Sequence, residues 1–173
     1  MMPTCLLDTK RLRLHLLTVD DAELMLAIWN DPGFIEYVGD RCIRTIAQAE
    51  DALLNGALRL YEDFGYGPYR VTLKTDGSSI GICGLFRREG LDDPDIGYAL
   101  LPDYRGRGYA FEAASAVIDY ARREIGLQRL TAIVSPANLA SIGLTEKLGL
   151  RFEKMIRMPD DDEVSLHALN LAS

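Results

Sequence analysis

Arg105-Gly106-Arg107-Gly108-Tyr109-Ala110 sets two glycines and two arginines between an apolar, strand-like run (Ile96 to Leu101) and a helix-like run (Phe111 to Ile125). Glycines at such a junction let the chain turn tightly and approach a ligand closely. The following helix aims unpaired N–H groups and the positive end of its dipole at the loop. Phosphate binds such a junction through main chain alone, and arginine adds charge. The glycine pair by itself also suits a plain strand-to-helix turn. A dinucleotide fingerprint would need a small residue where Phe111 stands. The Gly-Lys-Ser/Thr of nucleotide hydrolases is absent.

Other reactive residue types have weaker patterns. Gly77-Ser-Ser79-Ile-Gly81 matches the serine-hydrolase spacing, with His167 downstream, but Ser79 follows a hairpin turn and enters a strand. A nucleophile elbow needs the opposite order, strand then helix. Cys5, Cys42 and Cys83 are widely spaced, and His15 and His167 lack ligand spacing, so neither a disulfide framework nor a metal site is expected. Cys83 sits in an apolar run and reads as a small core residue.

These residues must be positioned by a chain of 173 residues, 48% hydrophobic and 26% charged, which is enough for one domain with a sizeable core. A formal net charge of −7 argues against broad nucleic-acid or anionic-membrane binding and suits a cationic partner such as an amine. No signal peptide or transmembrane run is read, so the cytoplasm is the expected compartment.

The periodicity predicts a strand over Arg11 to Leu17 and a helix from the Thr18 cap to about Asn30, stopped by Asp31-Pro32-Gly33. A second helix is predicted from Thr45 to about Asp63. Strands follow at Tyr66 to Lys74, Ser79 to Arg88 and Asp95 to Leu101, with a turn at Asp76-Gly77. A helix over Gly106 to Ile125, a strand over Arg129 to Val134 and a helix over Asn138 to Leu148 come next. Two final strands, Arg151 to Met158 and Glu163 to Leu171, are joined by Pro159-Asp-Asp-Asp162. The order β-α-α-β-β-β-α-β-α-β-β, with no linker or repeat, reads as a single α/β domain over residues 1–173 on a mixed sheet.

Asn138-Leu-Ala-Ser141-Ile-Gly-Leu-Thr-Glu-Lys147-Leu-Gly-Leu150 follows the glycine loop by about thirty residues. Alone it is an amphipathic helix capped by Asn138. The pair Arg-x-x-Gly-x-Ala and Asn-x-x-Ser-x-x-Leu-x-Glu-Lys-x-Gly-Leu resembles the GNAT superfamily of acyl-CoA-dependent N-acetyltransferases. Asp95-Ile-Gly-Tyr98 with Pro102 to Glu112 is most similar to the branch of the ribosomal-protein acetyltransferases RimJ and RimL. The resemblance implies a mixed, mostly antiparallel central sheet with helices on both faces. It implies a bulged strand at Asp95 to Leu101, splayed from Arg129 to Val134, with acetyl-CoA as co-substrate and no metal.

The resemblance also assigns residues. Tyr98, Ala99 and Leu100 would meet the pantetheine arm through main chain. The N–H groups of Gly106, Arg107, Gly108, Tyr109, Ala110 and Phe111 would hold the diphosphate, with added charge from Arg105 and Arg107. Asn138 would contact pantetheine, and Ser141 would lie near the sulfur. Many members place a tyrosine donor where Thr145 stands and a glutamate base where Ile133 stands. Ser141 is therefore the candidate proton donor and Asp95 the candidate base; their other readings are a small helix residue and a solvated strand-edge acid. Glu112 suits the helix start electrostatically. Trp29 and Tyr37 would wall an acceptor pocket, with Asp31 or Glu36 meeting an ammonium; alternatively Trp29 packs in the core and the acids cap helices. The acceptor would be a protein N-terminus or a small amine. The alternatives are a non-catalytic acyl-CoA-binding module and, remotely, a serine hydrolase. Exposed strand edges near the C-terminus suggest a homodimer.

Overall fold

In the computed structural model, which describes residues 5–172, one eight-stranded sheet runs through the molecule. Its strands are β1 (Cys5–Asp8), β2 (Leu12–Leu16), β3 (Pro68–Leu73), β4 (Ser79–Phe86), β5 (Asp95–Leu100), β6 (Arg129–Val134), β7 (Arg151–Arg157) and β8 (Glu163–Asn170). They lie in the order β1-β2-β3-β4-β5-β6-β8-β7, and every neighbouring pair is antiparallel except β5 with β6. The helices are α1 (Ala22–Trp29), α2 (Pro32–Tyr37), α3 (Ile46–Asn55), α4 (Ala57–Phe64), α5 (Tyr109–Tyr120) and α6 (Leu139–Lys147).

Strand β4 is apolar along nearly its whole length because it is covered on both faces. On one face, Ala113, Ala114, Val117 and Ile118 of α5 pack with Leu14, Val71, Ile80, Leu85 and Leu130. Small alanines let that helix sit close to the strands. On the other, Met25, Ile28 and Trp29 of α1 and Leu53 of α3 pack with Leu17 and Ile82. Each fully buried aliphatic side chain here contributes about 1.5–3 kcal/mol. Ile80 and Ile82, two residues apart, face opposite cores. The pairing explains this: Val71 lies opposite Gly81 and Thr72 opposite Ser79, so Ile80 is an extra, bulged residue.

That bulge corrects an expectation. Strand β5 pairs with β4 through six consecutive partners, Asp95↔Phe86 to Leu100↔Gly81, without a shift. The irregularity sits in β4 instead. It is tolerated because Gly81 lacks a side chain; a Cβ there would stand 2.2 Å from the Ala99 carbonyl oxygen.

Three further differences have local causes. Strand β1 was not expected; its four residues do not alternate, and pairing with β2 orders them. The predicted Thr45–Asp63 helix is broken at Gly56, where a Cβ would lie 2.7 Å from the Ala52 carbonyl oxygen. Asp31-Pro32-Gly33 ends one helix and starts another: the Asp31 carboxylate accepts the Phe34 N–H at 3.1 Å, and Pro32 occupies the first turn of α2. Among the described residues no helix is long and apolar enough to cross a membrane.

Candidate active site

Strands β5 and β6 run side by side but pair at one position, Asp95↔Thr131. Beyond it they diverge into a wedge. The Thr131 N–H and hydroxyl both bond the Pro94 carbonyl at the apex, at 3.0 and 3.1 Å. The Leu101 N–H bonds Ile80 of β4 on the other side. Strand alternation therefore turns the main-chain groups of Ile96, Tyr98 and Leu100 into the wedge. Ala99, expected to act through its main chain, turns that main chain toward β4 and its side chain toward the α1 core. The Leu100 carbonyl accepts from Arg105 Nε at 3.0 Å.

The glycine loop crosses the mouth of the wedge. Gly106 and Gly108 have φ of 74° and 82°, the left-handed region that glycine adopts without strain. Helix α5 begins at Tyr109, not Gly106, and its N-cap, Gly108, has no side chain to cap it. The first-turn N–H groups, from Tyr109 to Phe111, thus stay outside the helical ladder.

The two loop arginines differ. Arg105 forms an ion pair with Asp31, whose side chain is 6% exposed. Arg107 is exposed, and its carbonyl accepts from Arg11 Nη1 at 3.0 Å. Arg11 also donates from Nε to Glu112 at 2.7 Å and stacks on Tyr109, its guanidinium carbon 4.4 Å from the ring centroid. Glu112 further accepts the Thr9 hydroxyl at 2.6 Å and the Arg11 N–H at 2.8 Å. Burial pushes the Glu112 carboxyl up, but these bonds outweigh it and hold the pKa below the ordinary value. The β1–β2 turn is thereby tied to both the loop and the first turn of α5. Nothing in the local pattern around Thr9 and Arg11 announces this contact, which spans some hundred residues of chain.

Across the wedge, the Tyr98 hydroxyl donates to Ser141 Oγ at 3.1 Å, joining β5 to the start of α6. Burial raises the Tyr98 pKa, partly offset by Ser141, so the phenol keeps its proton. The sequence points to the main chain of Tyr98 alone; nothing near it in the chain announces the side-chain bond to Ser141. Asn138 caps α6, its side-chain oxygen accepting the Ser141 N–H at 3.2 Å. Thr145 is 4% exposed and lies on the inner face of α6. Lys147 of α6 lies over the Phe111 ring of α5, with Nζ 4.3 Å from the centroid.

Asp95 is 1% exposed, which overturns the picture of a solvated edge acid. Arg88 Nε donates to both its oxygens, at 3.2 and 2.9 Å. Burial raises the Asp95 pKa, and the Arg88 charge opposes that rise. The partner has a legible signal in retrospect: Arg88 and Asp95 flank the β4–β5 turn two places from paired Phe86.

The expected acceptor-side residues separate. Trp29 is 6% exposed and belongs to the α1 core. Asp31 is already engaged by Arg105 and caps α2. Glu36 and Tyr37 line a groove of about 310 Å³ between α2 and the β7–β8 turn, with Ser135 and Glu163 opposite. The serine-hydrolase geometry is not assembled: Ser79 opens β4 and accepts from Arg70 at 3.0 Å, while His167 Nε2 lies 3.1 Å from Ser165. Cys83 is fully buried, and burial pushes its thiol up to about 12.

A family model for the acetyltransferase (GNAT) domain matches residues 11–151. The protein YkkB of Bacillus subtilis (strain 168) is 31% identical, the match covering 87% of this chain and 88% of YkkB. The crystal structure of an acetyltransferase from Agrobacterium tumefaciens str. C58 superposes with a TM-score of 0.81 at 26% identity, covering 98% of this chain and 95% of that one. The ribosomal L7/L12 α-N-protein acetyltransferase RimL, solved in complex with coenzyme A, superposes with a TM-score of 0.80, covering 96% of this chain and 98% of RimL; at 16% identity this speaks to the fold alone.

Proposed function

The chain belongs to the GNAT acetyltransferase family, and from that premise we propose that it moves an acetyl group from acetyl-CoA to a primary amine by direct attack on the thioester. The observation that carries this reading is the wedge between β5 and β6, closed at one end by Asp95↔Thr131 and faced at the other by the glycine loop. The N–H groups from Gly106 to Phe111 hold the diphosphate of coenzyme A. The pantetheine arm runs along the inward main chain of Ile96, Tyr98 and Leu100, and the thioester reaches toward the apex. Asn138 lies beside the arm. Arg105 shapes the loop through Asp31 and the Leu100 carbonyl, and because Asp31 offsets its charge the main-chain N–H groups do most of the work at the phosphates.

The chemistry follows from the reactants. The amine must attack as the free base, which an α-amino group (pKa about 8) supplies more readily than a lysine-type amine (about 10.4). Nitrogen bonds to the carbonyl carbon, and the carbonyl electrons move to oxygen. An inward β5 N–H stabilises that oxyanion. On collapse the C–S bond breaks and the sulfur leaves as thiolate. Ser141 passes its proton to the sulfur while taking up the Tyr98 proton along their hydrogen bond, and water reprotonates Tyr98. Water carries the amine's proton away. Asp95, locked to Arg88, holds the apex rather than acting as a free base. Placing the reactants side by side supplies much of the remaining acceleration.

The RimJ/RimL-like branch is supported by the Asp95 to Glu112 stretch and by Ser141 in place of a tyrosine donor. Residues 1–173 form a single acetyltransferase domain in this reading. Strand β7, an edge strand exposed along nearly its whole length, is where a second copy would pair. The test is release of free thiol from acetyl-CoA across a panel of amines and peptides, with the acetylated product weighed by mass spectrometry. Amine-dependent thiol release supports the reading. Tight acetyl-CoA binding with no release for any amine would instead favour a non-catalytic acyl-CoA-binding module.

A further inference from the structure

We infer that the acceptor is an amine that also carries a carboxylate, and that Arg41 and Arg88 hold that carboxylate on the α1 face of the wedge. This deepens the acetyltransferase reading and rests on it.

Alternation along β5 places Ile96, Tyr98 and Leu100 toward the α5 core and Asp95, Gly97 and Ala99 toward the α1 side. Arg88 lies on that second side. Its Nε is spent on Asp95, while both Nη groups make no hydrogen bond among the described residues. A Cβ on Gly97 would sit 3.9 Å from Arg88 Nη2, so the free end of the guanidinium overhangs β5 one residue from Tyr98. Arg88 also stacks on Phe86, 4.6 Å from the ring centroid.

Arg41 approaches from the loop after α2. Its guanidinium carbon lies 4.7 Å from the centroid of the Trp29 ring. No carboxylate pairs with it among the described residues; neighbouring Asp40 is paired with Arg44. Arg41 is exposed; partial desolvation where it packs on Trp29, and secondly the Arg88 charge, pull its pKa below the ordinary value, while the side chain stays charged at any physiological pH. Trp29 under Arg41 and Phe86 under Arg88 belong to one apolar cluster, so the two guanidiniums lie on the same face, and Asp95 neutralises only one of them.

An unpaired guanidinium braced on an indole, beside a second with its Nη groups free, suits a carboxylate. Trp29, itself in the α1 core, lies under Arg41, and Phe86 lies under Arg88, so each guanidinium is braced from below. The same surplus positive charge repels a protonated amine, so it selects against acceptors that are cationic throughout. The molecule's net charge of −7 points toward polyamines, but the local field beside β5 points away from them.

The experiment compares phenylalanine, phenylalaninamide and phenethylamine, then leucine, leucinamide and isoamylamine, with spermidine as the cationic control. Thiol release is measured with saturating acetyl-CoA. Binding is followed separately through Trp29, the one tryptophan of the chain, so the readout does not depend on turnover. The expected result is a preference for each acid of about ten- to a hundredfold in both kcat/KM and affinity, the range of a charge-assisted contact. Arg41→Gln should abolish that preference, Arg41→Lys should keep part of it, and acetyl-CoA affinity should be unchanged in both. Equal use of acid and amide, best use of spermidine, or a preference that survives Arg41→Gln overturns the inference and leaves acetyl transfer standing. Failure of the wild-type protein to bind acetyl-CoA overturns the acetyltransferase reading and this inference with it.

Discussion

Replacing Glu112 by glutamine tests how the distant β1–β2 turn holds the glycine loop. The carboxylate accepts three hydrogen bonds: the Thr9 hydroxyl and Arg11 N–H on Oε2, and Arg11 Nε on Oε1. Glutamine keeps an oxygen for the first two but turns an NH₂ toward the Arg11 guanidinium. One charge-assisted bond is lost and the other two become neutral. A hydrogen bond to a charged group is worth about 1.5–3 kcal/mol. The Arg11 side chain is 42% exposed, so solvent screening reduces the ionic part, and a loss of about 1–2 kcal/mol is expected. For a chain of this size that lowers Tm by roughly 2–8 °C. Because Arg11 also holds the Arg107 carbonyl, KM for acetyl-CoA should rise while kcat changes little. Acetyl-pantetheine, which has no diphosphate, should show no such rise. The assays are thermal unfolding and steady-state kinetics with both thioesters. An unchanged Tm with unchanged KM, or an equal rise for both thioesters, would refute the reasoning.

Gly108→Val should weaken coenzyme A binding in calorimetry, because φ of 82° is strained for a branched side chain and the new Cβ would crowd Arg11 Nη2 at 3.3 Å; unchanged affinity in a folded variant would remove the loop from the site. Ser141→Ala should lower kcat by about a hundredfold or more, as loss of a positioned proton donor does, with coenzyme A affinity kept. Tyr98→Phe should lower kcat by less, since Ser141 retains its own proton; equal turnover of Ser141→Ala and wild type would exclude Ser141 as the donor. The folded-state pKa values of His15 and His167 both lie below the ordinary value, chiefly through burial. The unfolded chain therefore binds protons first, and stability present above pH about 6.5 is lost as pH falls below it. Urea midpoints at pH 7.5 and 5.5 check this, and a midpoint that does not fall at the lower pH would contradict it.

The sequence makes the order of the main elements legible because hydrophobic periodicity and turn residues coincide there, as in β4, β6 and α5. It also makes the glycine loop legible, since the positive φ at Gly106 and Gly108 is a property of residue type. What escapes the sequence is set by pairing. Strand β1 exists only through its register with β2, and the bulge at Ile80 exists only because Gly81 allows close approach of β5. The site divides the same way. Asp95 looks like a surface acid until folding buries it beside Arg88, and Asp31 looks free until Arg105 reaches it. The Tyr98–Ser141 bond joins residues 43 apart in the chain, and neither neighbourhood encodes the other.

A crystal structure with coenzyme A bound tests the central claim most directly. The account predicts the diphosphate on the N–H groups from Gly106 to Phe111, the pantetheine arm between β5 and β6, and the sulfur beside Ser141. Coenzyme A seated elsewhere on the sheet, or no pantetheine arm between β5 and β6 at saturating ligand, would contradict it.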